Sequence, residues 1–164
     1  MKVIMILATG LNGELGQNGQ LPWSRIPLDM LFFKRMTKGK NCIVGMNTYM
    51  GLPNIVIAKS THHISSNTKR IGEIINDLKA IFIDEVFVIG GAKTYEAAMP
   101  YVDEIYWTKI DQNFPDADTF FDVESELSKL DCNYRQVDIL STEPNILTPY
   151  YLKIRKITIT RDNG

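Results

Sequence analysis

The chain begins with an uninterrupted run of apolar residues, and similar short runs recur along its first two thirds. Val3–Ala8 has no polar interruption, which is typical of a strand buried on both faces of a sheet. The same pattern predicts strands over 41–45, 54–58, 85–89 and 104–110. Five buried strands are therefore expected before residue 111.

Between these runs the apolar spacing becomes that of amphipathic helices. From Pro27 to Gly39 apolar residues return every three or four positions, and proline suits the first turn of a helix while glycine suits its end. The same spacing predicts helices over 71–80 and 93–99. Strands alternating with helices are typical of an α/β domain with a parallel sheet.

The last third is rich in strand-forming residues. Strands are predicted over 134–140 and 150–160, and Pro144 and Pro149 between them suit an antiparallel pair. The whole pattern predicts an α/β fold in a single domain over residues 1–164. It would have a mostly parallel twisted central sheet, an antiparallel C-terminal edge and about four flanking helices.

Two stretches carry no regular pattern. Residues 60–70 are polar and predict a loop. Gly10–Trp23, called the lid loop below, holds four glycines and Pro22, and structureless segments of this length are often functional lids. Its glycine spacing is not that of a dinucleotide-binding fingerprint, which also needs a helix directly after the loop. A mobile lid is the favoured interpretation.

Composition and charge narrow the class of protein. The 164 residues are 45% apolar and 23% charged, with a net charge of −1, so no general field attracts nucleic acid or a membrane surface. No apolar run approaches the roughly 18 residues of a membrane span. Cys42 and Cys132 are too few and too isolated for a disulfide framework or a zinc site. We expect a cytoplasmic protein that binds neither nucleic acid nor membrane.

Two segments combine a strand, a glycine and the start of a helix, an arrangement that can hold phosphate. Val86–Tyr95 contains Gly90-Gly91 and Lys93. Paired glycines allow close approach to the backbone, and free N–H groups at a helix start attract anions. Gly45–Thr48 repeats the pattern. Each could be a tight turn only, but two on one sheet suit a dinucleotide.

Asp29 is the candidate for acid–base or binding chemistry. It lies in the first turn of the helix that starts at Pro27, with Ile26 and Phe32 three positions away on either side. One interpretation is a carboxylate that merely complements the helix dipole. The other is a carboxylate that faces a cleft and binds a cationic or amidine-like ligand edge. Periodicity alone favours the first.

No metal site is predicted. His62 and His63 are adjacent, so their side chains would face apart in a strand, and solvated loop histidines are expected. Asp116, Asp118 and Asp122 lack the spacing and the central glycine of a calcium-binding loop. A solvated acidic loop is expected there.

Five segments taken together resemble the dihydrofolate reductase family. In order they are Leu21-Pro22-Trp23, Pro27–Arg35, Gly45–Tyr49, Val88–Glu96 and Tyr106–Thr108. The resemblance covers residues 1 to about 125 well and the C-terminal strands loosely. It implies reduction of 7,8-dihydrofolate to tetrahydrofolate by NADPH, with hydride transfer to C6 and protonation at N5, in support of one-carbon, thymidylate and purine synthesis. It also implies that antifolate inhibitors bind, and we expect a monomer.

The resemblance assigns roles to individual positions. Asp29 matches the family carboxylate that hydrogen-bonds to the pterin, and Thr108 matches the threonine that supports it. Trp23 matches the tryptophan that holds an ordered water, and Leu21 lies in the lid over the nicotinamide. Further positions imply contacts with substrate: Ile6, Met30, Phe33, Lys34 and Leu52. Others imply contacts with the cofactor: Ala8, Leu15, Gly45, Met46, Asn47, Thr48, Ile89, Gly90, Gly91, Ala92, Lys93, Thr94 and Tyr95.

Two departures from the family pattern stand out. Met46 replaces the arginine that usually helps to hold the cofactor's 2′-phosphate, and Lys59 and Ser60 are expected to replace that charge, with Thr61 or His62 nearby. The segment between Tyr49 and the strand predicted at 54–58 is short, so the arginine that binds the substrate's glutamate has no counterpart, and Lys34 is a partial substitute.

Two other functions stay open at this point. One is a reductase of the same fold that acts on another pteridine or on a riboflavin-pathway pyrimidine, which the missing arginine favours. The other is a nucleotide-binding module without catalysis, against which Asp29, Trp23 and Thr108 argue.

Overall fold

The computed structural model describes residues 1–161 and has a seven-stranded sheet at its centre. The strands are β1 (Lys2–Thr9), β2 (Glu14–Gly16), β3 (Asn41–Gly45), β4 (Thr61–Ser65), β5 (Glu85–Val88), β6 (Glu104–Ile110), β7 (Thr119–Phe120), β8 (Asn133–Thr142) and β9 (Leu152–Thr160). The helices are α1 (Pro27–Thr37), α2 (Met46–Gly51), α3 (Asn54–Ala58), α4 (Ile71–Ala80), α5 (Ala92–Ala98) and α6 (Val123–Ser128), with a 3-10 turn at Met99–Tyr101.

The large sheet has the order β4-β3-β5-β1-β6-β9-β8. The first five of these strands are parallel, and β9 and β8 are antiparallel to their neighbours. This confirms the predicted α/β class with an antiparallel C-terminal edge. The described residues contain six α-helices rather than about four, because short helices occupy connections that lack a long apolar period.

Helices cover both faces of the sheet. On one face Ile4 and Ile6 of β1 lie in a cluster against which Phe33 of α1 packs. On the other face Met5 lies in a cluster with Ile75 of α4. Because successive side chains of a strand point to opposite faces, a strand covered on both sides must be apolar throughout. The uninterrupted apolar run of β1 follows from this arrangement.

The predicted strand over 54–58 is wrong, and the predicted loop over 60–70 is wrong for residues 61–65. Residues 54–58 form α3, which begins after Pro53 and buries only Val56, and the strand is Thr61–Ser65. A crossover between parallel strands needs about a dozen residues or more, and a strand at residue 54 would leave only residues 46–53 to make it. The β-branched residues of α3 favour a strand locally, but the crossover length overrides that preference.

The adjacent histidines therefore lie on a strand and not in a solvated loop. Both are half-buried, and burial lowers the pKa of each imidazole. His63 Nε2 lies 2.9 Å from Asn41 Oδ1, while His62 packs against Tyr49 with ring centroids 5.8 Å apart. Among the described residues no group of metal ligands assembles.

The lid loop contains more structure than its glycines predict. Residues 14–16 form β2, which pairs with β7. The Glu14 carboxylate is buried and accepts hydrogen bonds from the backbone N–H groups of Asn12 and Phe114, each 2.6 Å long. Asp118 accepts a bond of 2.8 Å from the N–H of Asn18. The lid loop is thus tied to the segment before β7.

The C-terminal strands are confirmed. β8 and β9 pair antiparallel over residues 133–160, and β8 is an exposed edge. Asp122 belongs to no metal site in the described part of the chain and caps α6 by accepting from the N–H of Ser125. Within residues 1–161 no helix has the length and apolar content to cross a membrane. Cys42 and Cys132 are both free thiols.

Candidate active site

The site forms where the carboxyl ends of the parallel strands meet the first turn of α1. Pro27 starts this helix, and Asp29 is the acidic residue of its first turn. The Asp29 carboxylate shares a hydrogen bond with the side chain of Thr108, a fully buried residue near the end of β6. The cleft-facing interpretation of Asp29 therefore agrees with its position, because its partner is a buried strand residue and not the helix end.

Burial dominates the electrostatics of Asp29. It raises the pKa of the carboxyl above its usual value, and the hydrogen bond with Thr108 lowers it in part. Burial thus destabilises the charged carboxylate, and an incoming hydrogen-bond donor can offset that loss of solvation. Such a group is suited to bind a planar ligand edge that carries N–H donors.

Tyr95 of α5 is buried close enough to Asp29 for the two groups to interact electrostatically. The buried Tyr95 hydroxyl donates a hydrogen bond of 2.8 Å to the carbonyl oxygen of Ile6. Burial raises the pKa of Tyr95, and the nearby charge of Asp29 raises it further. Tyr95 therefore remains a neutral hydrogen-bond donor to Ile6 of β1.

An apolar cluster, called the apolar slot from here on, packs against α1, the helix that carries Asp29. Ile6 of β1 and Ile89, which follows β5, are buried in this cluster. Phe33 of α1 and Leu52, which follows α2, pack against it. Phe32 and Tyr106 extend the slot, with ring centroids 5.9 Å apart. Flat aromatic ligands are bound by walls of this kind.

Three glycines bring the two predicted phosphate-binding segments together. The N–H of Gly45 donates a hydrogen bond of 2.8 Å to the carbonyl of Gly90, and the Gly90–Gly91 peptide is cis. A β-carbon on Gly45 would lie 2.8 Å from Thr94 Oγ1, and one on Gly91 would lie 3.0 Å from Thr48 Oγ1. We call Gly45, Gly90 and Gly91, with the helix starts that follow them, the glycine cradle. The two segments can approach each other this closely only with glycine at positions 45 and 91.

The cradle is lined by the starts of two helices. α5 begins at Ala92, with Lys93 exposed, and α2 begins at Met46, which is half exposed. Asn47 is also exposed beside Met46. Ser65 pairs in register with Gly45 at this edge, and Ser66 follows it. These two serines were missed from the sequence because β4 was predicted at residues 54–58.

Three lysines surround a separate pocket at the end of α1. Its lining residues are Lys34, Thr37, Lys38, Ile55, Val56, Lys59 and Ser60. Ser60 Oγ donates a hydrogen bond of 2.7 Å to the carbonyl of Thr37. Within residues 1–161 no ion pair involves any of the three lysines. The structure thus places Lys59 and Ser60 with Lys34.

The segment between Tyr49 and the next strand is longer than predicted, because residues 54–58 form α3 and not a strand. The segment from Gly45 to β4 runs through α2 and α3, and Lys59 follows α3 directly. A cation, Lys59, therefore stands at the end of this segment, whereas the sequence assigned Lys59 to the cofactor's 2′-phosphate and offered only Lys34 for the substrate's glutamate. Lys38, Ile55 and Val56 also line this pocket and were not predicted, and the crossover length was the signal that could have located Ile55 and Val56.

The remaining predicted residues lie around the lid loop. Trp23 is buried and packs against Phe114, with ring centroids 5.3 Å apart, in a cluster that also contacts Ala8. Leu15 is partly buried against the main core, whereas Leu21 is 55% exposed. Met30 is half-buried next to Asp29 on α1.

A carboxylate on the helix that packs against the apolar slot, beside a glycine cradle at the carboxyl ends of parallel strands, would suit a flat ligand next to a dinucleotide. The family model described as dihydrofolate reductase matches residues 2–141. The dihydrofolate reductase of Haemophilus influenzae is 34% identical over 129 residues, which cover 74% of this chain and 79% of that protein. The dihydrofolate reductase of Bacillus subtilis is 32% identical over 135 residues, covering 71% and 77%.

A solved structure has the same fold. Dihydrofolate reductase from Enterococcus faecalis, in complex with NADP(H) and RAB-propyl, superposes with a TM-score of 0.79 at 23% identity, covering 97% of this chain and 96% of that one. The chain belongs to the dihydrofolate reductase family. It is accordingly an oxidoreductase of folate metabolism.

Proposed function

We propose that the chain reduces 7,8-dihydrofolate to 5,6,7,8-tetrahydrofolate with NADPH, and that Asp29 is the carboxylate that binds the pterin. The observation that carries this proposal is the desolvated Asp29 carboxylate, which interacts with Thr108 and lies on the same helix as Phe33 of the apolar slot. Its two oxygens accept the hydrogen bonds that the pterin 2-amino group and N3 offer. The free thiols Cys42 and Cys132 suit a reducing compartment, so we place the reaction in the cytoplasm.

The slot orients the ring and excludes water from it. Phe33, Leu52 and Ile6 would pack against the pterin, with Met30 beside them, while Trp23 and the lid loop would close the open side. The negative charge of Asp29 favours a protonated substrate, which helps the N5=C6 bond accept a hydride at C6 as N5 takes up a proton. Positioning of the two rings is thus the main task of the protein.

The glycine cradle fits a dinucleotide. NADPH supplies the hydride when bound, and is oxidised to NADP⁺. Gly45, Gly90 and Gly91 would approach its pyrophosphate, with the Thr48 and Thr94 side chains and the N–H groups of Ala92 and Lys93 next to them. Tyr95, Ala8 and Leu15 would border the nicotinamide. The edge with Met46, Asn47, Ser65 and Ser66 would face the 2′-phosphate.

The lysine pocket suits the carboxylates of the substrate's glutamate. Lys34 and Lys38 are one helical turn apart, so their like charges repel each other until an anion binds between them. Lys59 adds a third cation over the apolar floor of Ile55 and Val56. We therefore assign Lys59 to the substrate side, with Ser60 as a structural link to Thr37.

Steady-state kinetics test this function. Purified protein should oxidise NADPH in a dihydrofolate-dependent manner, and Asp29→Asn should lower kcat by about 10²–10⁴-fold. A dihydropterin without the glutamate tail should show a lower kcat/KM than dihydrofolate. If no turnover occurs with dihydrofolate, or if the tail-less pterin is equally good, the assignment of substrate is wrong.

A further inference from the structure

The loop between α4 and β5 presents two adjacent apolar side chains to solvent. Phe82 is 91% exposed and Ile81 is 65% exposed. Single exposed apolar residues are common, but a neighbouring pair at the tip of a short loop forms a projecting apolar surface. Neither residue lies near the active site, because this loop is at the amino end of β5 and the site is at the carboxyl ends of the strands.

The backbone of Phe82 is in a conformation that favours glycine. Its φ is +60°, in the left-handed region. The Phe82 N–H donates to the Lys79 carbonyl, and the Ile83 N–H donates to the Leu78 carbonyl, both at 3.1 Å. These two bonds define the motif that ends many helices, and its left-handed position is usually glycine or asparagine. Phenylalanine there costs stability and buries nothing in the fold.

A shallow concavity of about 360 Å³ lies next to this projection. It is lined by Met1, Lys79, Phe82, Ile83 and Asp84. Lys79 and Asp84 carry opposite charges, and neither takes part in an ion pair within residues 1–161. One surface thus holds a projecting ring, a depression and two complementary charges. This combination suits a two-fold symmetric contact, in which the same patch of each copy must be complementary to itself.

We propose that this surface, called the Phe82 surface and made of Met1, Lys79 and Ile81–Asp84, joins two copies of the chain around a two-fold axis. Phe82 enters the concavity of the partner copy, and Lys79 faces Asp84 of the partner subunit. The surface is small, so the dimer is weak, with a Kd on the order of 100 µM. The expected monomer is then the state of dilute solutions, and both active sites remain open.

Sedimentation equilibrium of the full chain tests the proposal. From about 5 µM to about 1 mM the average mass should rise from that of a monomer toward that of a dimer. Phe82→Gly should remain a monomer over the whole range. Its Tm should be unchanged or higher, because glycine suits the left-handed position. Ile146→Asn is the matched control, since Ile146 is fully exposed at the opposite end of the sheet, and it should associate like the wild type.

A charge swap tests the paired arrangement. Lys79→Glu and Asp84→Lys should each weaken association about fivefold or more, and the double variant should restore it. A wild-type chain that stays monomeric to 1 mM, an unaltered Phe82→Gly, or a double variant without rescue would each overturn the proposal. NADPH oxidation should be equal in all variants, so the result is independent of the enzymatic assignment.

Discussion

Gly45 and Gly90 are joined by a hydrogen bond of 2.8 Å, from the N–H of one to the carbonyl of the other. The bond connects the end of β3 with the turn after β5, two neighbouring strands of the parallel sheet. It therefore holds the two strand–glycine–helix segments at a fixed separation. A cofactor that spans both would meet a surface which is already formed before binding.

Gly45→Ala should weaken cofactor binding. The added β-carbon would lie 2.8 Å from Thr94 Oγ1, so the Thr94 side chain or the backbone must move. We expect the KM for NADPH to rise about tenfold or more, which corresponds to about 1.4 kcal/mol. Gly51→Ala is the matched control because its β-carbon would contact nothing within 4 Å. It lies at the end of α2 and should leave the KM unchanged.

Asp29→Asn should stabilise the fold at neutral pH while abolishing most activity. The folded-state pKa of Asp29 is raised, chiefly by burial, so folding disfavours its ionised form. That cost is present at pH values above the folded pKa and is relieved as the pH falls through it. The Tm of Asp29→Asn should exceed that of the wild type at pH 7, and the difference should shrink toward pH 4 and below.

Calorimetry from pH 4 to pH 8 checks this linkage. A Tm difference that is constant with pH would mean that Asp29 is not the titrating group. A wild type more stable than Asp29→Asn at pH 7 would contradict the desolvation argument, because the lost hydrogen bond with Thr108 would then outweigh burial.

Lys59→Gln should raise the KM for dihydrofolate about tenfold, since a charge-assisted contact contributes about 1.5–3 kcal/mol and Lys34 and Lys38 compensate in part. The kcat/KM for a tail-less dihydropterin should not change. Lys59→Arg should lower the KM for dihydrofolate, because a guanidinium binds a carboxylate with two parallel hydrogen bonds. If instead the KM for NADPH rises selectively in Lys59→Gln, Lys59 belongs to the cofactor side.

Glu14→Gln should destabilise the protein by about 1–3 kcal/mol. The carboxylate accepts from two backbone N–H groups, those of Asn12 and Phe114. A glutamine can accept only one of them and presents its own N–H₂ to the other. Denaturant unfolding measures the loss, and Glu73→Gln on the exposed face of α4 is the control, which should change stability very little. An equally stable Glu14→Gln would show that the lid loop is held by other contacts.

Much of the fold could be predicted from the sequence because its signals are long and periodic. Val3–Ala8 and residues 104–110 are apolar enough to identify buried strands, and the region 71–80 repeats its apolar residues like a helix. The segment after Gly45 could not be predicted in this way. Ile55, Val56 and Ile57 favour a strand by local preference, whereas the two histidines of β4 do not.

The site was predicted in part for the same reason. Asp29, Gly45 and Gly90 lie in short segments whose residue types are distinctive, so their positions follow from the resemblance to the family. The lysine pocket depends on where the chain returns to the sheet, which is a tertiary property. The misplaced strand at 54–58 therefore separated Lys59 from Lys34 and Lys38, which line the same pocket in the structure.

The three lysines at the end of α1 bear on inhibitor selectivity. A lysine attracts a carboxylate as a point charge, without the planar two-bond geometry of arginine. Compounds that imitate the whole substrate, glutamate included, would gain less from this pocket than they gain from a guanidinium. Small lipophilic diamino heterocycles carry no glutamate and, in the proposed site, would contact only Asp29 and the apolar slot, so they would lose nothing. The difference in affinity between glutamate-containing inhibitors and small lipophilic inhibitors should therefore be smaller for this chain than for a relative that has the arginine.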